Sequence, residues 1–252
     1  MGVTGVEERG AEAGGRRRRR WPIIAPVVLV VVVVGFLLGR EVYWSLRPVP
    51  EFASLVTDPD PSLTGTVAFQ EVGADNCVWV VPASGGAARK VTCLEGFAGG
   101  GTLRWLPDGR LQDTRYPRAG SDESARSVII DVRTGATTDV PAAEIPPAPA
   151  WQEHPAGPGG ETIDDRSRRG RLTVSLTADG RSRELLSVGA PSTYSLGQWA
   201  WSADGSFVVA KDDTDRLLLI TTGDPSKTRV LAEGGWGAAV TGRTFSASAS
   251  TG

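Results

Sequence analysis

The sequence predicts an all-β domain that is preceded by one N-terminal transmembrane helix. Three observations lead to this prediction: an uncharged apolar run behind a block of arginines, a composition rich in Gly (32) and Pro (17), and a Trp-containing motif that recurs along the chain. Beyond the apolar run, strand-like segments alternate with turn signals and strong helix formers are sparse. The predicted parts are a basic cytoplasmic tail, the helix, a Pro-rich stalk, the β domain and a flexible C-terminal tail, at residues 1–20, 21–39, 40–61, 62–236 and 237–252.

The predicted helix covers residues 21–39, none of which is charged. At about 1.5 Å per residue it is about 28 Å long, close to the thickness of the hydrocarbon core of a bilayer. Trp21 at one end and Tyr43 with Trp44 at the other are typical of membrane interfaces. The positive-inside rule predicts a cytoplasmic N-terminus and an extracytoplasmic domain on a single-pass cell-membrane protein, because five arginines precede the run: Arg16, Arg17, Arg18, Arg19 and Arg20.

Two alternatives to a membrane anchor stay open. A cleaved signal peptide is one, although the apolar run is longer than the usual core and Leu38-Gly39-Arg40 is a poor cleavage site. A buried helix of a soluble protein is the other, and the block of arginines argues against it.

Charge is divided unevenly along the chain. Before Pro48 there are eight Lys or Arg against four Asp or Glu, a net charge of +4, and the rest has 19 against 25, a net charge of −6. A mildly acidic domain lacks the clustered Lys and Arg that phosphate contacts need, so nucleic acid is not an expected partner. Only three lysines occur against many arginines, which indicates a genome of high GC content.

The recurring motif predicts a repeat. Trp105-Leu-Pro-Asp108-Gly109 matches Trp201-Ser-Ala-Asp204-Gly205 at an offset of 96, and Trp151 lies about midway between them. The offset therefore indicates two units of about 48 residues, each with a Trp beside an Asp-Gly hairpin. Glycine supplies the positive φ of the tight turn, and the Trp fills the space between packed sheets. Four-stranded units of this length are typical of propeller blades.

The segment Trp-Ser-Ala-Asp-Gly-Ser-Phe-Val-Val-Ala at 201–210 resembles the Trp-Ser-Pro-Asp-Gly repeat of TolB-like β-propellers. The resemblance covers roughly residues 62–235 and implies a small or incomplete β-propeller of about four blades, because the chain is too short for the six blades usual in that family. Related repeats serve periplasmic binding proteins and the propeller halves of prolyl-oligopeptidase-type enzymes. A β-sandwich with chance Trp and Asp-Gly pairs is the alternative fold.

No residue pattern predicts catalysis or a cofactor. The single histidine, His154, has no neighbouring Cys or His for a zinc site, and Gly-x-Ser-x-Gly, P-loop and dinucleotide-binding motifs are absent from the sequence. Asp212, Asp213 and Asp215 form a weak Ca²⁺ candidate, because carboxylate oxygens are hard ligands. The spacing lacks the Gly and distal Glu of an EF-hand, which favours a solvated hairpin instead. Asp164-Asp165 is predicted to lie in a polar loop.

The two cysteines predict a disulfide. Cys77 and Cys93 flank a hairpin whose turn centres on Gly85, and this register pairs 78 with 92, 80 with 90 and therefore 77 with 93. Facing Cβ atoms in an antiparallel pair are about 4.5–5.5 Å apart, near enough for a bridge. Two buried free thiols are the alternative.

The predicted function is non-catalytic: an extracytoplasmic module that binds or scaffolds an envelope protein or polymer, with the lipid bilayer as its other partner. An extracytoplasmic carboxylate-dependent hydrolase and a transmembrane sensor are the alternatives. The sensor would need a cytoplasmic partner, because a tail of about 20 residues is too short to fold alone.

Overall fold

The structure, a computed structural model, describes residues 21–71, 76–94, 101–116, 124–145 and 155–241. The chain divides between Tyr43 and Trp44 into two compact units. The described residues contain one α-helix, sixteen strands and two short 3-10 helices, at Ala142–Glu144 and Pro225–Lys227. A mostly β protein with an N-terminal apolar helix is therefore confirmed.

Helix α1 spans Trp21–Ser45. The apolar side chains of residues 26–43 are exposed, with Leu29, Val31 and Phe36 at 64%, 65% and 70%. Its segment Pro26–Ser45 has the length and composition of a membrane span or of an N-terminal signal sequence. The predicted end at residue 39 was wrong: residues 40–47 contain no helix breaker before Pro48, and the charges of Arg40 and Glu41 pair on the helix surface at 3.4 Å.

Sixteen strands follow the helix and form four sheets in the part of the chain that is described. They are β1 (Ala53–Ser54), β2 (Thr66–Glu71), β3 (Cys77–Pro82), β4 (Arg89–Cys93), β5 (Gly101–Trp105), β6 (Leu111–Arg115), β7 (Arg126–Ile130), β8 (Thr137–Asp139), β9 (Thr162–Arg168), β10 (Arg171–Ala178), β11 (Arg181–Gly189), β12 (Leu196–Trp201), β13 (Phe207–Asp212), β14 (Arg216–Thr221), β15 (Arg229–Glu233) and β16 (Gly235–Val240).

The first sheet has the order β16-β2-β3-β4, the second β5-β6-β7-β8, the third β11-β10-β9 and the fourth β1-β15-β14-β13-β12. Within each sheet the strands are antiparallel, except that β1 pairs with β15 in parallel. Apart from β1 and β16, every sheet is built from strands that follow one another in the chain. This arrangement matches the meander of consecutive strands that the alternating runs and turns predict.

The two strands that break the sequential order link the ends of the domain. The C-terminal strand β16 pairs with β2, with Val240 opposite Val67. The N-terminal strand β1 pairs with β15, with Ala53 opposite Arg229. Strand β16 also lies beside β5 and β12, so it contacts three of the four sheets.

Two apolar clusters form the core. The larger contains Phe69 of the first sheet, Leu172 of the third, and Trp199 and Leu218 of the fourth. The smaller packs the first sheet on the second through Ala68, Val78, Leu103, Leu111 and Ile130. Both faces of β14 are buried, which explains why the strand is apolar at every position from Leu217 to Ile220 and does not alternate.

Both predicted boundaries of the β domain were wrong. The predicted stalk, 40–61, includes β1 and Leu55, whose side chain is fully buried in the larger cluster. The predicted tail, 237–252, includes most of β16. Prolines around β1 suggest a linker, but the short strand needs only an exposed edge of β15 to form its backbone hydrogen bonds. Small residues in Gly235–Val240 likewise conceal a buried strand.

Candidate functional site

The cysteine pair lies at disulfide distance, with the two sulfur atoms 2.07 Å apart. Cys77 is opposite Cys93 and Val78 is opposite Thr92, as predicted. The predicted pairing of 80 with 90 was wrong, because a β-bulge after Val78 puts Lys90 opposite Trp79 instead. The bulge inserts one extra residue in the returning strand, an irregularity that counting from the turn cannot detect.

The two Trp–Asp-Gly hairpins lie in different sheets and share one turn geometry. Trp105 ends β5 and Trp201 ends β12. Gly109 N donates to Leu106 O at 3.0 Å, and Gly205 N donates to Ser202 O at 3.1 Å. Both glycines have positive φ, +81° and +73°.

The aspartates of these hairpins close the turns in the same way. Asp108 Oδ1 accepts from the backbone N–H of Arg110 at 3.1 Å, and Asp204 Oδ1 accepts from that of Ser206 at 3.0 Å. The neighbouring side chain of residue 110 or 206 lowers the pKa of its aspartate by hydrogen bonding. The charge of each aspartate therefore serves the local turn.

Each motif tryptophan ties its hairpin to a distant part of the chain. Trp105 Nε1 donates to Ala239 O of β16 at 3.2 Å, and Trp201 Nε1 donates to Pro155 O at 2.8 Å. These bonds satisfy the indole N–H groups where the rings are buried or half-buried. Trp151 and His154 lie outside the described residues.

A buried ion pair lies at the end of β6. Asp113 is fully buried and Arg115 is 6% exposed. Arg115 Nε donates to Asp113 Oδ1 at 3.1 Å, and its Nη2 donates to Oδ2 at 3.1 Å. Both side chains point to the same face of β6, since they are two residues apart. Burial raises the pKa of Asp113, and the charge and hydrogen bonds of Arg115 oppose that rise.

Gln70 of β2 lies beside this pair, close enough to oppose the rise in the pKa of Asp113. Its side chain is 2% exposed, and its amide hydrogen bonding is geometrically poor among the described residues, so its interaction with Asp113 is weak. A poorly hydrogen-bonded buried amide contributes little to stability.

Gln198 of β12 reaches the same place from the fourth sheet. Its φ is +53°, rare for a residue with a side chain, and its Oε1 accepts from Gly237 N of β16 at 3.0 Å. Strands β12 and β16 are both bulged here, between Gly197 and Ala200 and between Trp236 and Ala239. Bulges of this kind redirect side chains and are frequent next to functional sites.

We call Gln70, Asp113, Arg115 and Gln198 the inner polar cluster. Three sheets supply it, and Gly101 makes room for it, because a Cβ at that position would lie 2.8 Å from Asp113 Oδ1. The segments that join these strand ends, 72–75, 95–100 and 117–123, lie outside the described residues. A carboxylate, a guanidinium and two amides at one place can bind a polar ligand, and they include one group, Asp113, with a raised pKa.

The sequence did not single out any member of this cluster. The available signal was Leu111-Gln-Asp-Thr-Arg115, a strand directly after an Asp-Gly turn with opposite charges two residues apart. Such a pair faces one side of a strand, but its burial depends on the neighbouring sheet. Gln70 gave no local signal at all.

The acidic residues after β13 do not converge. Asp212 is buried, and its oxygens accept from Thr214, Arg216 and Tyr194. Asp213 instead accepts from Ser195 N at 2.6 Å, and Asp215 pairs with Lys211 at 2.6 Å. Among the described residues no group of three or more His, Cys, Asp or Glu is placed to hold a metal. The solvated-hairpin alternative was wrong for Asp212, which this network buries.

Asp212 instead joins the last sheet to the segment before β1. Burial raises its pKa, but hydrogen bonds from Arg216 N, Thr214, the Arg216 guanidinium and Tyr194 outweigh burial and lower it. Arg216 also donates to Pro50 O at 3.1 Å and lies 5.8 Å from the centre of the Phe52 ring. An open cleft of about 410 Å³ adjoins this point, lined by Phe52, Val56, Leu231 and their neighbours.

Asp164 and Asp165 lie in β9 and not in a loop. Asp165 Oδ2 accepts from Leu196 N at 3.3 Å, and Asp164 pairs with Arg166 at 2.8 Å. The polar run from Asp164 to Arg168 conceals the strand, because this strand's ladder to β10 is a backbone interaction that does not require apolar side chains.

These features define a class: a β-sheet protein with an N-terminal apolar helix and a paired set of cysteines. No protein-family model and no curated protein matches the chain. Solved structures to which it is similar include TolB from Acinetobacter baumannii, at 12% identity and a TM-score of 0.24, with 70% of this chain and 55% of that chain covered. The chain thus spans about half the length of that protein.

Two further solved structures are similar at the same low level. One is an acylaminoacyl peptidase from Pyrococcus horikoshii, at 13% identity and a TM-score of 0.22, with 66% of this chain and 30% of that chain covered. The other is a protein from Lactobacillus plantarum, at 20% identity and a TM-score of 0.18, with 78% and 62% covered. TM-scores of this size carry no functional argument.

Proposed function

We propose that this protein is a membrane-anchored, extracytoplasmic module built as a four-bladed β-propeller, and that it binds an envelope protein or polymer without catalysis. The pairing of β16 with β2 is the observation that carries the proposal. A C-terminal strand that completes the N-terminal sheet is the means by which a ring of sheets closes on itself, and β16 lies beside β5 and β12, as an innermost strand would.

The inner polar cluster is the proposed contact site. It combines the buried amide of Gln70 with the ion pair of Asp113 and Arg115, and three sheets hold these polar groups in place. Rigid, convergent polar groups fix the orientation of a ligand at little entropic cost. Extracytoplasmic placement is supported by the cysteine pair, because disulfides persist mainly in oxidising compartments.

Photo-crosslinking in intact cells tests the binding function. A photoreactive residue in place of Glu71, exposed at the end of β2 next to Gln70, is expected to capture one defined partner. The same residue in place of Asp139, exposed on the outer strand β8, is the matched control and is expected to capture little. Equal capture from the two positions, or none from position 71, would contradict the proposed site.

A carboxylate-dependent hydrolase is the second candidate, and the raised pKa of Asp113 is the observation that favours it. A carboxyl group with a raised pKa is better suited to act as a general acid than an ordinary one. Hydrolysis of a glycosidic bond would need a second carboxyl group about 5–10 Å away. Among the described residues the inner polar cluster supplies one carboxyl group, that of Asp113.

A further inference from the structure

The turn between β9 and β10 concentrates positive charge. Arg168, Arg169 and Arg171 are exposed, and within the described part of the chain no side-chain hydrogen bond or ion pair is formed by any of the three. Arg168 and Arg171 are directly opposite each other in the ladder. Like charges at facing positions destabilise a sheet, so this pair does not serve the stability of the fold.

The turn itself adds a second cost. Arg169 has φ +53° and Gly170 has φ +70°, a two-residue hairpin with both φ values positive. The turn at the other end of β10 has the same geometry with Asp179 at +51° and Gly180 at +71°. Asp and Asn tolerate this conformation, whereas Arg rarely adopts it. Arg169 is therefore strained at the position where the equivalent turn has Asp179, which tolerates a positive φ.

Chain connectivity places this turn near the predicted bilayer surface. Gly170 packs against Trp44 and Arg47, and a Cβ at Gly170 would lie 2.9 Å from Arg47 Cδ. Arg47 lies over the Trp44 ring at 4.7 Å, and Trp44 O accepts from Ser192 N at 3.3 Å. Trp44 is five residues beyond the uncharged run that ends at Gly39. Five residues span at most about 18 Å even when fully extended, so Trp44 cannot lie far from the end of the apolar run.

We propose that Arg168, Arg169 and Arg171, which we call the basic turn, bind the phosphate groups of anionic phospholipids in the leaflet that faces the domain. This inference rests on the proposed membrane anchoring. Guanidinium groups pair with phosphate in a bidentate manner, and each arginine near an anionic surface strengthens attachment about fivefold. The turn packs on Trp44, which follows the apolar run closely in the chain, and near a bilayer lipid phosphates greatly outnumber soluble ones. Phosphate binding also offsets the repulsion between Arg168 and Arg171.

Native mass spectrometry of the full chain in a neutral detergent tests the proposal. The chain is titrated with phosphatidylglycerol, with phosphatidylcholine and with inorganic phosphate. The wild type is expected to retain phosphatidylglycerol in preference to the other two. Arg168→Gln with Arg171→Gln is expected to weaken phosphatidylglycerol binding by more than about tenfold.

The matched control removes two exposed arginines elsewhere, Arg133→Gln with Arg181→Gln, and should bind lipid as the wild type does. Comparison with this control also subtracts lipid held by Arg16 to Arg20, which all variants keep. A third variant, Arg169→Asn, relieves turn strain, so its melting temperature should be unchanged or higher while lipid binding falls. That combination separates a lost lipid contact from a damaged fold.

Unchanged phosphatidylglycerol binding in the Arg168 and Arg171 variant would overturn the proposal. Equal binding of inorganic phosphate would overturn it too, because the turn would then be a site for a soluble anion. The assay in detergent does not depend on which side of the membrane the domain occupies. A failure of the proposed topology is therefore distinguishable from a failure of the lipid site.

Discussion

Asp212 shows how one buried carboxylate holds distant segments together. Its two oxygens bind donors from β14, from the preceding turn and from Tyr194, and through Arg216 they reach Pro50. The neutral Tyr194 is stabilised in turn, because burial and the adjacent charge of Asp212 raise its pKa. In the sequence, Asp212 is a weak candidate metal ligand, since three neighbouring carboxylates suggest a bound cation. In the structure the positive charge beside Asp212 is the guanidinium of Arg216.

Asp212→Asn is expected to destabilise the fold by about 3 kcal/mol, because Arg216 is left partly buried without a charged partner. Chemical denaturation at neutral pH measures the change. Asp164→Asn is the control: its pair with Arg166 is exposed, so the loss should stay within about 1 kcal/mol. Equal losses in the two variants would show that burial does not set the strength of the Asp212 pair.

The same variant has a predicted pH signature. Because the pKa of Asp212 is lowered from 3.8 in the folded state, its contribution to stability is present above that value. It is lost as the pH falls through the folded-state pKa. The wild type should therefore lose more stability than Asp212→Asn on acidification from neutral pH. An equal loss of stability in the two proteins on acidification would contradict this account of Asp212.

The hairpins are the elements that the sequence predicts best. The Asp-Gly turns after Trp105 and Trp201 are encoded locally, because positive φ requires glycine and the Asp side chain closes the turn. The polar strand β9 and the small-residue strand β16 were missed, since neighbouring strands and not their own side chains define them. The inner polar cluster was missed for the same reason: its members come from three sheets and share no sequence pattern.

Gly109→Ala is expected to cost about 1–2 kcal/mol, because no neighbouring atom obstructs a Cβ there and only the φ of +81° opposes it. Gly223→Ala is the control, with open space around its Cβ and no positive φ. Gly223→Ala should leave the stability of the fold unchanged. Thermal unfolding of both variants measures the difference, and equal stabilities would contradict the turn assignment.

The outer hairpin of the first sheet depends on the cysteine pair. Breaking the link between Cys77 and Cys93, 16 residues apart, is expected to cost about 3 kcal/mol, less if the hairpin persists in the unfolded chain. Unfolding with and without reductant measures the cost. Thiol titration of the denatured, unreduced protein is the direct test of the link, and two free thiols per chain would contradict it.

For the whole molecule, cooperative folding depends on the pairing of the C-terminal strand β16 with β2. Because β16 contacts the first, second and fourth sheets, truncation after Glu233 is expected to abolish cooperative unfolding. Removal of residues 242–252 alone is the control and should leave the melting temperature unchanged. A cooperative transition in the shorter protein would show that β16 is dispensable and that the sheets do not form a closed ring.

Both proposals depend on membrane anchoring, and the proposed function depends also on a domain outside the cytoplasm. Protease added to intact spheroplasts tests it most directly, with detection of the domain by an antibody and of a cytoplasmic protein as the control for integrity. We expect the domain to be degraded while the cytoplasmic control survives. A domain that stays fully protected until the membrane is dissolved would contradict the predicted topology.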